Sequence, residues 1–187
     1  MEEIDLIQRA RQDDPAVWTR LVEEHQEAIF RLAYLILGDP DDAKDIAQET
    51  FIRAFRSLDR FDERRPLKPW LLRIPTNLSR NQRRSSGRYW AALTRFGRRE
   101  INENRIAAEE ASIQEEKSRT LWAAVRRLRQ VDQEVIYLWY FLDLSVEENA
   151  TALEVAPGTV KSRLHRRLRR LEGVISRDFP LLREVEL

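Results

Sequence analysis

Between Glu154 and Glu172 the chain carries Lys161, Arg163, His165, Arg166, Arg167, Arg169 and Arg170 and not one acidic residue. Guanidinium and ammonium groups at that density donate hydrogen bonds to phosphate oxygens, and an arginine can meet a guanine edge in bidentate fashion. Val160, Leu164, Leu168 and Leu171 recur at helical spacing, which commits one face to a core and leaves the basic side chains the others. Pro157 suits the first turn of that helix. Upstream, Ser145 followed by Glu148 forms a capping box that starts a shorter helix, and Val155-Ala156 leaves only a brief connection. A short helix, a tight turn and a basic second helix make a helix-turn-helix, which lays its second helix in a DNA major groove. The plainer alternative is a helical hairpin with a solvated charged face. Two helices of the right length with charge of one sign favour DNA.

Two other stretches carry segregated charge. From Arg64 to Arg99 there are eleven Arg or Lys residues and no Asp or Glu. Arg64, Arg65, Lys68, Arg73, Arg80, Arg83 and Arg84 are interleaved there with Trp70. Charge that tracks a backbone and a ring that stacks on bases suit a single nucleic-acid strand. The competing reading makes Trp70 a core residue among solvated arginines. From Asp39 to Glu49 the balance reverses, with Asp39, Asp41, Asp42, Asp45 and Glu49 against Lys44 alone. The pattern implies two partners, an anion on one surface and a basic protein surface on the other.

These stretches need a scaffold, and the composition bounds it. The 187 residues suffice for one or two small domains. Five glycines and the absence of alternating apolar runs point to an all-α chain. There is no cysteine, and His25 and His165 are the only histidines, so neither a disulfide nor a zinc site is expected. No run approaches the roughly 20 apolar residues of a membrane span, and the first residues do not read as a signal peptide. A cytoplasmic protein without membrane insertion is expected. The net charge of +1 argues against indiscriminate nucleic-acid binding. No nucleophile–base pair or metal-ligand cluster is legible, so catalysis and a cofactor are not expected.

The periodicity predicts a short helix over 4–11 and a long one over about 16–37 closed by Gly38. Asp39-Pro40 opens the next, with Asp as cap and Pro at the first position. In that helix Ala43, Ile46, Ala47, Thr50, Phe51, Ala54, Phe55 and Leu58 are expected inside, and Asp45, Gln48, Glu49, Ile52, Arg53 and Arg56 outside. A helix over about 67–84 follows, kinked by Pro75. Ser85-Ser86-Gly87 is expected to end a first domain over 1–87, a flexible linker takes 88–112, and a second domain takes 113–187. That second domain opens with a helix to about Arg129, whose Leu121, Trp122, Val125 and Leu128 point inward, and continues with one over about 132–141.

The series LGDPDDAKDIAQETFIRAFRSLDRFDERRPLKPWLLRIPTNLSRNQRR resembles conserved region 2 of the extracytoplasmic-function (ECF) sigma factors. The segment from about Leu121 to Leu171, ending VAPGTVKSRLHRRLRRL, resembles their region 4. The resemblance implies a helical bundle and a helix-turn-helix domain in a subunit that binds bacterial RNA polymerase core and directs initiation at particular promoters. Asp45, Gln48, Glu49 and Ile52 would then meet the clamp helices of the β′ subunit. Asn77, Trp70 and the loop from Asp59 to Pro66, with Arg64, Arg65, Lys68, Arg73 and Arg80, would handle the minus-ten strand. Lys161, Ser162, Arg163, His165 and Arg166 would face the minus-35 groove, and region 4 would touch the β flap. An anti-sigma factor is the further partner that such membership suggests. The chain departs from the family pattern at Pro75, where a small residue is usual, and at Asn149, where a branched apolar residue is. Glu154 stands where Gly is frequent, and Arg129 where Pro is. A free-standing helix-turn-helix regulator is the alternative, but such proteins dimerise to meet two half-sites. No apolar seam for that is legible, and the acidic helix would have no task.

The recognition helix yields a first prediction. Arg166→Ala should cost about 1–3 kcal/mol and relax preference at one or two minus-35 positions. Arg170→Ala, a turn further on, should weaken all sequences alike and flatten the salt dependence. Competition among randomised minus-35 sequences at two salt concentrations separates the two outcomes.

Overall fold

A computed structural model describes the backbone of residues 3–94, 125–126 and 128–178, and the side chains of 3–85, 125–126, 128–166 and 169. Every described element is a helix. α1 spans Glu3–Ala10, α2 Pro15–Leu37, α3 Pro40–Ser57 and α4 Leu67–Thr94, with a 3-10 turn at Leu58–Arg60. α5 spans Gln130–Ile136 and passes into a π turn at Tyr137–Phe141, before α6 at Val146–Leu153 and α7 at Pro157–Asp178. α1–α4 make an N-terminal lobe and α5–α7 a C-terminal one.

The helix ends follow the local chemistry. Asp14 and Asp39 cap α2 and α3 with their carboxylates, accepting from the amides of Ala16 and Val17 and of Asp41 and Asp42. The free amides of a first turn require such acceptors. Gly38 closes α2 at φ 79°, where its missing Cβ removes the usual penalty. Ser145 and Glu148 complete both halves of the capping box of α6. Glu154 ends α6 in the left-handed region at φ 57°, ψ 44°, which explains the frequency of Gly there and makes this a position held by its surroundings. Arg129 sits at φ −65°, ψ 148° ahead of α5, a geometry proline also adopts.

Other expectations change. α4 contains Pro75, as expected, and runs past the predicted end at Ser85-Ser86-Gly87 to Thr94. The segment expected as one helix over 132–141 is an α-helix that becomes a π turn. Most of the helix predicted ahead of Arg129, including Leu121 and Trp122, lies outside the described residues, whereas Val125 and Leu128 are buried as expected. Phe55 is not inside: it is 51% exposed, its ring tilted on Trp18 at 5.1 Å. The buried stripe of α3 consists of Ala43, Ile46, Thr50 and Ala54. Phe55 follows Ala54 by one residue and is therefore rotated about 100° off that stripe.

Leu6, Ile7, Val17, Leu21, Ala54, Leu67 and Leu71 form one core inside the N-terminal lobe. A second core crosses between the lobes: Ile29, Leu32, Ile36 and Leu72 pack with Val135, Tyr137, Leu138, Leu144, Leu153 and Val160. Burial pushes the Tyr137 hydroxyl up to about 12, so it stays protonated, and it donates to Gln133 Oε1 at 3.4 Å.

Asn149 replaces the usual apolar residue within that second core and is fully buried. Its Nδ2 donates to the carbonyl of Val135 at 3.1 Å, next to the segment where π bonding shifts backbone partners from i−4 to i−5. A buried amide needs such a partner. Asn149→Ala should therefore lower stability by about 1–3 kcal/mol. Urea unfolding should show a reduced midpoint at unchanged slope.

Candidate nucleic-acid interface

Three surfaces carry the residues singled out in the sequence. On α3, Asp45, Gln48 and Ile52 are exposed and Glu49 is half-buried. Because the opposite stripe is in the core, these four necessarily share the outward side. Glu49 accepts from Arg53 Nε at 2.7 Å, one turn on. Partial burial and the carboxylates of Asp39, Asp45 and Asp41 raise the pKa of Asp42, the mark of crowded negative charge. Phe55 beside Ile52 widens the face with an exposed ring that sequence periodicity placed in the core.

The second surface lies along α4. Arg73, Asn77 and Arg80, at i, i+4 and i+7, form a strip on one face of α4, and Lys68 precedes Arg73 by five residues, about 140° around the helix. The fold turns that strip toward the C-terminal lobe. Lys68 Nζ donates to the carbonyl of Leu142 at 3.0 Å. Arg73 pairs with Glu154, and Asn77 Nδ2 donates to the same carboxylate at 3.1 Å. Arg80 grips Glu134 through Nε, 3.0 Å from each carboxylate oxygen, and through Nη2. Glu134 is 1% exposed and also accepts from Gln130 at 3.2 Å. Trp70 stays with its own lobe, half-buried with its ring 4.8 Å from that of Phe61. Arg64 and Arg65 are exposed in the loop before α4, where Arg65 pairs with Asp62 at 3.5 Å.

The third surface is the N-terminal half of α7. Val160 and Leu164 are buried, and Lys161, His165 and Arg166 are exposed. Arg166 folds back along the helix and donates to the Ser162 carbonyl at 3.0 Å and hydroxyl at 3.2 Å. Ser162 and Arg163 are half-buried. Arg163 joins Arg80, Arg84, Glu134, Leu153 and Val155 around a cleft of about 190 Å³ between the lobes. Sequence reasoning missed Glu134 and Glu154 as partners of α4. Glu134 could have been noticed as an acid embedded in the apolar run after Asp132, but its partner lies 54 residues away.

Residues 21–89 match the model for sigma-70 region 2, and residues 118–171 that for sigma-70 region 4. The ECF RNA polymerase sigma factor SigW of Bacillus subtilis (strain 168) is 33% identical over 169 residues, covering 86% of this chain and 89% of that protein. The chain belongs to the ECF sigma factors. The sigma factor NccH of Alcaligenes xylosoxydans xylosoxydans is 31% identical over 91% of this chain and 92% of its own length. In architecture the sigma factor resembles CnrH, solved with the cytosolic domain of CnrY, at a TM-score of 0.70 over 94% of this chain and 98% of that one, with 24% identity. It also resembles RpoE of Bartonella quintana, solved with the anti-sigma factor NepR, at 0.66 over 86% and 97%, again with 24% identity. As a sigma factor the protein binds the RNA polymerase core and directs promoter-specific initiation; the free-standing regulator is the disfavoured reading. No described helix is long and apolar enough to cross a membrane.

The outward side of α3 supplies a prediction. Reversing charge at Asp45 and Glu49 together should weaken binding to core polymerase while changing stability by no more than about 0.5 kcal/mol per site. Co-sedimentation with core polymerase, beside a thermal melt of each protein, reads both.

Proposed function

We propose that the three surfaces divide the work of initiation. Asp45, Gln48, Glu49 and Ile52, with Phe55 beside them, engage the β′ clamp helices. Lys68, Arg73, Asn77 and Arg80 of α4, with Arg64 and Arg65 of the preceding loop, hold the minus-ten strand. Trp70 supports that strip from within the lobe. Lys161, Ser162, Arg163, His165 and Arg166 read the minus-35 groove, and the C-terminal lobe meets the β flap. The reading is carried by one observation: each surface lies on a helix whose opposite side is buried, so the side chains left over are polar, exposed or interfacial, and of one dominant charge. Domain bounds at about 1–87 and 113–187, joined by a linker, suit this division, with the long α4 carrying the first domain's surface into the linker.

The chain itself supplies recognition, and phosphodiester chemistry belongs to the polymerase. The work is cytoplasmic, where the polymerase and promoter are. Since CnrH and RpoE are each known in complex with CnrY and NepR respectively, an anti-sigma factor is a fitting regulator for this chain as well.

In vitro transcription with purified core polymerase, with and without this chain, tests the whole reading; no promoter-dependent transcript means it fails. Asn77→Ala should impair melting more than closed-complex binding, because an amide reaches a base's pairing edge only once the base has left the stack. Permanganate reactivity around the start site should fall in this mutant while footprinting of the closed complex persists.

A further inference from the structure

The loop between α3 and α4 is held by a helix that lies outside the region 2 match. α1 and the residue after it, Arg11, precede the matched residues 21–89. Arg11 is the centre of the contact. Its guanidinium donates through Nε to the carbonyl of Leu58 at 3.3 Å and through Nη2 to that of Phe61. Its Nη1 pairs with the Glu63 carboxylate at 3.1 Å. All three nitrogens are thus spent on the loop. At the other end of α1, Glu3 Oε1 accepts from the amide of Leu67 at 2.8 Å. That amide opens α4 and has no acceptor within the helix. The two side chains therefore tie down both ends of 58–67. Leu6, Ile7 and Ala10 share a core with Leu58, Phe61 and Leu67, so the apolar side of α1 anchors the same two ends. Between them the tip is a turn of its own. The Arg65 amide donates to the Asp62 carbonyl at 3.0 Å, and the Arg64 amide to the Asp62 carboxylate at 3.2 Å. Arg64 and Arg65 sit on that turn, exposed.

We propose that Arg11 is a positioning residue for minus-ten recognition: with Glu3 it holds the loop 58–67 in one shape before DNA arrives, so that Arg64 and Arg65 meet the strand without first being ordered. This rests on the assignment of that loop to the minus-ten strand. Binding that must also order a loop loses free energy to the ordering, and a preformed loop avoids the loss. Sequence discrimination suffers in the same way, because a surface that can re-pack accommodates several partners. The apolar residues of α1 would suffice to pack it on the lobe; the polar contacts of Arg11 and Glu3 add a fixed path for the loop backbone. Arginine suits the task better than lysine, since a planar fork spans two carbonyls and a carboxylate that one ammonium would not reach together.

The test compares holoenzymes carrying wild type, Arg11→Met, Arg11→Lys or Glu3→Ala. The templates are a promoter that the wild-type holoenzyme selects from randomised DNA, and single substitutions of it at minus-ten and at minus-35. Arg11→Met should compress discrimination among the minus-ten templates about 5- to 30-fold, the factor that corresponds to losing a hydrogen bond to a charged group. Discrimination among the minus-35 templates should not change. Arg11→Lys should restore part of the loss. Glu3→Ala, at an exposed position, should compress the same discrimination by a smaller factor and keeps the test decisive if Arg11→Met does not fold. Limited trypsin digestion of the free proteins should cut faster after Arg60 and Arg64 in the variants than in wild type. A role confined to stability would lower the thermal midpoint and depress transcription from every template in one proportion. That result, in variants that still bind core polymerase, would overturn the proposal. Arg64→Ala combined with Arg65→Ala tests the loop assignment separately. If that pair alters minus-ten preference and the folded Arg11 and Glu3 variants do not, positioning fails and the assignment stands. If the pair leaves minus-ten preference intact, the assignment fails and positioning with it.

Discussion

Glu134 is an acidic side chain held in the interior, and the cation that pairs with it comes from the other lobe. An acidic side chain 1% exposed would carry a desolvation penalty of several kcal/mol if left alone. The forked guanidinium of Arg80 matches both carboxylate oxygens, and Gln130 adds a further donor from one turn away. Because α4 and α5 lie on opposite lobes, this pair fixes the register between them. Asn77 and Arg73, about one and two turns nearer the start of α4, then meet Glu154, and Lys68 reaches Leu142 beyond them. The row of ties follows the rise of a single helix.

That register decides what the apolar residues do. Leu72 would face solvent or DNA if the lobes were apart, and Ile29, Leu32 and Ile36 would lose the side chains of α5 and the π turn. Burial of such residues contributes roughly 25 cal/mol per Å², so the hydrophobic seam and the polar row favour the same closed arrangement. The opposing consideration is electrostatic: Arg80, Arg84 and Arg163 surround one cleft with Glu134 as the acidic residue among its lining. Closure concentrates positive charge there, and separation relieves it.

Two irregular positions in the C-terminal lobe serve the same packing. The left-handed backbone at Glu154 aims its carboxylate at α4 while ending α6. A glycine there would relax the backbone and remove both ties. Asn149 spends a buried polar group on the carbonyl of Val135, at the boundary where α5 gives way to the π turn. Both departures from the family pattern are thus accounted for by contacts, the first between lobes and the second within one.

Local chemistry was legible in the sequence wherever its cause was local. Asp14, Gly38, Asp39 and the Ser145–Glu148 box mark helix ends because a cap bonds only to its own neighbours within the chain. The segregation of Asp39–Glu49, Arg64–Arg99 and Lys161–Arg170 revealed the three candidate surfaces because charge needs no fold to be counted. The all-α class followed from periodicity, and the sigma-factor family from the resemblance of two segments, in order, to its regions 2 and 4. What tertiary structure decided is which surfaces face each other. The sequence offered Phe55 to the core, but a rotation of one residue beyond Ala54 leaves it beside Trp18. Ser85-Ser86-Gly87 offered a helix end, yet the helix continues to Thr94, since propensity is weaker than the continuity of a formed helix. Arg73, Asn77 and Arg80 were visible as a basic strip, whereas their acidic partners were not. Glu134 and Glu154 lie 54 and 77 residues further along the chain from Arg80 and Asn77. Nothing in local spacing encodes a contact at that separation: it exists because two amphipathic lobes bury their apolar faces against one another.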